Sequence, residues 1–269
     1  MKACALTSRS ACSAFSVVGE PSVVNGRSAA GPVPREFPRP LPLALVIVVA
    51  VSLVVITFVF FGTPQALSPV YYALVTVVGI AAFRGGRGPR TREWLQSLPG
   101  PPIARAIVLG FLAVVIEETI VGTLFALTEG FTLAGWAERV GQFIGFNVFA
   151  FAGPIFGLTV AARILPGLAL WHLFVAGGWG LYAESVFARI LGAPIAALLI
   201  AGPTIAVYSV ILAPLVLSLP ERPGRSRWWH PFVAWALMFA FSIPAILVLG
   251  ALRAASPEAF PPCEYIACP

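Results

Sequence analysis

From Leu41 onward the chain alternates long apolar runs with short polar punctuation. Several runs continue for about 18 residues or more without a charge, the length a helix needs to cross a bilayer. They place spans at about 41–62, 66–83, 103–127, 141–162, 166–183, 190–218 and 230–252. The pattern predicts an all-α protein: a polytopic transmembrane helical bundle of about seven spans. The turn from Arg163 to Pro166 is short, which predicts adjacent antiparallel helices on either side of it. The sixth span is long and holds Pro194, Pro203 and Pro214, so it needs either strong tilt or a kink, with Gly202-Pro203 the expected place. The fifth carries Gly177, Gly178 and Gly180, which either let helices approach closely or mark a broken helix lining a cavity. Residues 1–40 are rich in Ser, Ala, Gly and Pro and read as a disordered cytoplasmic tail, with a targeting segment as the alternative. Residues 41–253 form the transmembrane domain, and residues 254–269 a short external tail.

Composition agrees with this class. The chain is 59% hydrophobic and 10% charged, against about 25% charged in soluble domains, and its mean hydropathy is +0.92. Of the 17 basic residues, all but Arg139, Arg189 and Arg253 fall on one side of the predicted bundle. The positive-inside rule then puts the N-terminus in the cytoplasm and the C-terminus outside. Trp94, Trp136, Trp228 and Trp229 sit near the predicted interfaces as anchoring aromatics, and His230 reads as part of that anchor. The net charge of +6 is explained by arginines at helix ends and does not indicate nucleic acid. Cys4, Cys12, Cys263 and Cys268 lie outside the spans without zinc-site spacing; the last two are either a short-loop disulfide or two free thiols.

Missing residue types exclude whole mechanisms. All 11 acidic residues are Glu, so chemistry built on Asp is absent. The one lysine, Lys2, lies in the polar tail, which excludes a Schiff base within a helix. There is no HExxH zinc helix and no phosphate-binding GxxxxGK[ST] loop. No cofactor and no metal are expected.

Ionisable groups within lipid are costly and mark function by default. Glu117 and Glu118 lie deep in the third span, Asn147 in the fourth and His172 in the fifth; Glu129 and Glu184 lie near outer ends, within reach of water. Adjacent carboxyls point about 100° apart on a helix, so one can face the interior while the other bonds to a neighbour. A buried carboxyl can take a proton from water and return it to a leaving group. An imidazole can orient that water or share the proton, and an asparagine amide can donate to a developing oxyanion. Glu117 or Glu118, His172 and Asn147 together would form a water-activating hydrolytic site. The same glutamates can instead serve a small transporter as its coupling site, or hold helices together in a scaffold.

The segment Gly110–Ala126, GFLAVVIEETIVGTLFA, resembles the first motif helix of the CPBP family of intramembrane glutamic proteases, the CAAX-protease and bacteriocin-processing group. Gly153–Leu173, GPIFGLTVAARILPGLALWHL, resembles that family's later segment, in which a glycine-containing helix turns into one bearing a histidine. The similarity covers about residues 103–180. The family's Glu-Glu-x-x-x-Arg motif falls on Glu117, Glu118 and Gly122, so the arginine is missing. Its Phe-x-x-x-His motif falls on Phe143-x-x-x-Asn147, and its His-x-x-x-Asn motif on His172-x-x-x-Ala176; Leu168-x-x-x-His172 is the alternative for the second. The resemblance implies a metal-independent endopeptidase in which a glutamate activates water. Membrane lipids and a membrane-associated peptide or protein substrate would be its partners.

Overall fold

The computed structural model describes residues 67–83, 87–220 and 222–257, with helical fragments at 50–51, 53–54 and 57–58; at 68, 80, 83, 87 and 168–174 it describes the backbone alone. The tail over 1–40, most of the span expected at 41–62, and all four cysteines lie outside the described residues.

The described regular structure is entirely helical. The elements are α1 (Ser68–Phe83), α2 (Arg87–Ser97), α3 (Pro102–Glu129), α4 (Leu133–Ile164), α5 (Leu168–Ala183), α6 (Val186–Gly192), α7 (Pro194–Ser218) and α8 (His230–Ala255). Four of them, α3, α4, α7 and α8, are long and apolar enough to cross a membrane. The chain is therefore a multi-pass helical membrane protein. The expected spans at 66–83 and 166–183 are helices of 16 residues each. At about 1.5 Å per residue each rises about 24 Å, short of the ~30 Å hydrocarbon layer.

Helix α7 is continuous through Gly202-Pro203, with Pro203 and Pro214 both inside it. The interruptions fall earlier. Ser185 adopts a left-handed conformation (φ 55°) between α5 and α6, and Ala193 leaves the helix (φ −145°, ψ 67°) before Pro194. A residue preceding proline is disfavoured in the α region, which explains the second stop. The short turn leaves α4 and α5 in contact as neighbours, though neither is the other's principal partner. The main packing of α4 is against α8 and α3, and that of α5 is against α7.

Small residues set these contacts, as expected where apolar burial alone does not drive helices together in lipid. Gly153 and Gly157 of α4 lie against the α8 backbone at Met238 and Ser242. A Cβ on Gly157 would stand 2.5 Å from Met238 Cα. Gly110 of α3 packs on Ile155 and Leu215, and Gly180 of α5 on Tyr208 and Thr204 of α7. The fully buried Ile155, Leu158, Leu212, Leu215 and Met238 fill the core between these helices.

One end of the bundle is tied by cations and amides bonded to terminal carbonyls. Arg105 donates to Leu98 O (2.8 Å) and Ser218 O (2.9 Å). Gln96 of α2 donates to Leu217 O and Leu219 O, and Arg222 to Arg163 O. These bonds neutralise orphan carbonyls at the C-termini of α7 and α4. His230 is not a surface anchor. It is 2% exposed, and its Nδ1 accepts from the Arg227 N–H at the start of α8.

Candidate functional site

The inward stripe of α3 repeats every fourth residue: Ala106, Gly110, Val114, Glu118, Gly122 and Ala126 are all buried. Helix geometry stacks residues four apart on one face, so Glu118 occupies a position otherwise given to small or apolar side chains. It is 4% exposed. Its carboxyl meets the Asn147 amide of α4 and the carboxyl of Glu117. Glu117 itself turns toward α1, where the Tyr71 hydroxyl donates to its Oε1. Its Oε2 is buried without a hydrogen-bond partner, and the Glu118 carboxyl acts on Glu117 from the next position of the helix. Where two buried carboxyls interact, their protons belong to the pair and not to either residue alone.

The expected division of labour between the adjacent glutamates is thus present, one inward and one toward a neighbour, and their tips still meet. Asn147 stands where the sequence placed it, beside Glu118. His172 lies on the backbone of α5, twelve residues before Glu184. That is about 18 Å along the helix axis, and its side chain is outside the described residues. The geometry therefore brings together Glu117, Glu118 and Asn147, and places the His172 backbone well away from the Glu184 end of α5.

A second polar group adjoins the pair. Glu184, expected near water, is half-buried where α5 ends, and the Tyr208 hydroxyl donates to its Oε1 at 2.8 Å. Tyr208 stacks on Phe151 with ring centroids 5.5 Å apart. Thr204, one turn before Tyr208, is fully buried. Its Oγ1 lies beside the Tyr72 hydroxyl without forming a hydrogen bond of acceptable geometry. Both Glu117 and Glu118 act electrostatically on Glu184 or its tyrosine partner, so the two groups share one polar interior. Sequence reasoning passed over Tyr71, Tyr72, Thr204 and Tyr208. The available signal was the Tyr-Tyr pair opening an apolar helix and the Thr204-x-x-x-Tyr208 spacing, which puts two hydroxyls on one face.

Glu129, the other acid expected near an outer end, is exposed and paired with Arg139 at 2.7 Å. The two border a cleft of about 400 Å³ formed by the end of α3 and the start of α4, with Thr132, Trp136 and Gln142 in its wall. Ala126 also lines it, two helical turns or about 12 Å along the stripe from Glu118. Between them Gly122 packs on Val140 and Phe143.

Among the described residues no three His, Cys, Asp or Glu side chains are placed to hold a metal ion. Comparison with protein-family models, with curated proteins and with solved structures returns no match.

Proposed function

We propose that this protein is an intramembrane hydrolase similar to the CPBP group, cleaving peptide bonds near the membrane with a water activated by the Glu117–Glu118 pair. One observation carries the reading: Glu118, buried in the bundle, touches both Glu117 and Asn147. One carboxylate accepts a proton from water as the oxygen attacks the scissile carbonyl. The Asn147 amide donates to the oxyanion. The proton held by the pair passes to the leaving amine. Tyr71 fixes Glu117, and His172 is assigned no step. A cleft opens at the α3–α4 end, and Gly122 packed on Val140 and Phe143 closes the stripe between it and Glu118, so substrate entry there requires α3 and α4 to part.

The topology that goes with this reading has seven crossings. The apolar run at 41–62 is the first, and residues 168–192, about 37 Å of helix rise, make one discontinuous crossing from α5 and α6. The arginine-rich end faces the cytoplasm together with the N-terminus.

A second reading is a proton-coupled carrier, and the helix break at Ser185 beside Glu184 favours it, since transporters place such breaks at their sites. One experiment separates the two. Wild-type protein and Glu118→Gln in nanodiscs are given a library of membrane-anchored peptides in ¹⁸O-water, and products are read by mass spectrometry. Hydrolysis predicts ¹⁸O-labelled carboxyl termini from wild type and none from the variant. Equal product from both refutes the proposal. No cleavage, together with Glu118-dependent acidification of pyranine-loaded vesicles, establishes the carrier instead.

A further inference from the structure

We propose that the break between α5 and α6 is a binding site for a small monovalent alkali cation, coordinated by oxygens of Glu184, Tyr208, Thr204 and Tyr72. The inference is independent of what the Glu117–Glu118 pair does.

The backbone supplies the first argument. Ser185 is the one non-glycine residue with a positive φ among the described residues, a conformation that side chains other than those of Gly, Asn and Asp rarely take. Stopping α5 there leaves carbonyls exposed. The Glu184 N–H bonds to Gly180 O and the Ser185 N–H to Tyr182 O. Among the described residues no backbone N–H reaches the carbonyls of Leu181 and Ala183. Unwound backbone and half-helix C-termini are where membrane proteins hold sodium ions.

The side chains supply the second. Thr204 Oγ1 is fully buried and has no hydrogen bond, an arrangement native interiors avoid unless a ligand or water completes it. It lies one turn from Tyr208, and both flank Gly180 at the end of α5. Every side-chain donor converging here is oxygen, the ligand type that suits hard cations.

Charge supplies the third. The groups acting on Glu184 and its tyrosines are Glu117 and Glu118 from α3, Tyr72 from α1, Tyr208 from α7 and Arg189 from α6. Arg189 is exposed, and it acts on Glu184 electrostatically from the next helix. Glu184, half-buried, is the one carboxylate at the break itself, and a single positive charge matches it.

The test measures unfolding by tryptophan fluorescence in neutral-lipid nanodiscs, in choline, potassium and sodium chloride at equal ionic strength. Sodium at about 100 times its Kd should raise Tm by about 5–10 °C over choline. The rise should vanish in Glu184→Gln and Thr204→Val and persist in Glu118→Gln. Because Glu184→Gln can fail to fold, equilibrium binding of ²²Na⁺ to the wild type is measured alongside, with one saturable site expected. Equal Tm in the three salts, an unchanged rise in Glu184→Gln, stabilisation that follows pH and ignores sodium, or no saturable ²²Na⁺ binding each overturns the proposal.

Discussion

Replacing Asn147 by leucine removes the amide that meets Glu118 while keeping the branching and the number of side-chain heavy atoms. Glu118 is 4% exposed, so water replaces the lost partner poorly. In soluble interiors an unsatisfied buried group costs about 1–3 kcal/mol. Hydrogen bonds between membrane helices average about 0.6 kcal/mol and reach about 1.7. Glu118 keeps its contact with Glu117 in the variant, so the lower range applies, and Asn147→Leu should destabilise by about 1 kcal/mol. For a chain of this size that is a fall in Tm of about 2–4 °C. The double variant Glu118→Leu/Asn147→Leu leaves neither group stranded and should melt above the Asn147→Leu single, because removing both partners is nearly neutral where removing one is not. The assay is thermal unfolding in one detergent for wild type, both singles and the double, closed as a cycle. Additivity within about 0.3 kcal/mol would mean that the two side chains do not interact, and the site as described would be wrong.

Three further outcomes follow from the packing and the charges. Gly157→Ala should lower Tm by the equivalent of about 1–3 kcal/mol, because its Cβ meets the α8 backbone at 2.5 Å. Gly141→Ala on the same helix has nothing within 4 Å and should be neutral or stabilising by up to about 1 kcal/mol; equal effects from the two would remove the case for close α4–α8 contact. Arg139→Ala should cost no more than about 1 kcal/mol and less at high salt, since Glu129 is exposed and Arg139 partly so; a larger, salt-independent loss in unfolding experiments would contradict that. Tyr71→Phe should lower turnover of any peptide found to be cleaved, and an unchanged kcat would contradict the part given to Tyr71 in fixing Glu117.

The parts of the fold legible in the sequence are those where length and hydropathy act alone. The spans expected at 103–127 and 230–252 are helices Pro102–Glu129 and His230–Ala255. The fourth starts eight residues before the expected 141, because Thr132 caps it and its polar first turns, with Glu138 and Arg139, carry no hydropathy signal. Helix α2 was unreadable for the same reason: Arg-Gly-Pro-Arg-Thr-Arg-Glu-Trp resembles a loop, and it is held by tertiary bonds from Gln96 and Thr91. The α5–α6–α7 boundaries were hidden by the opposite excess, an apolar run in which Ser185 and Ala193 give no compositional warning. At the site, Glu117, Glu118 and Asn147 stood out because ionic and amide groups are conspicuous in lipid. Tyr71, Tyr72, Thr204 and Tyr208 did not, since single hydroxyls are common in membrane helices and only their convergence distinguishes them. Glu184 follows the last turn of an apparent span, and its half-burial against Tyr208 is a tertiary contact that hydropathy does not carry.

The central claim is that Glu117 and Glu118 meet inside the bundle and hold one proton between them. Infrared difference spectroscopy of the protonated-carboxyl C=O stretch tests it directly, on wild type, Glu117→Gln, Glu118→Gln and Asn147→Leu in lipid at neutral pH. The account predicts one such band in the wild type that is lost or shifted by each of the three substitutions. A wild type without the band, or a band that answers to one glutamate and ignores the other, would contradict it.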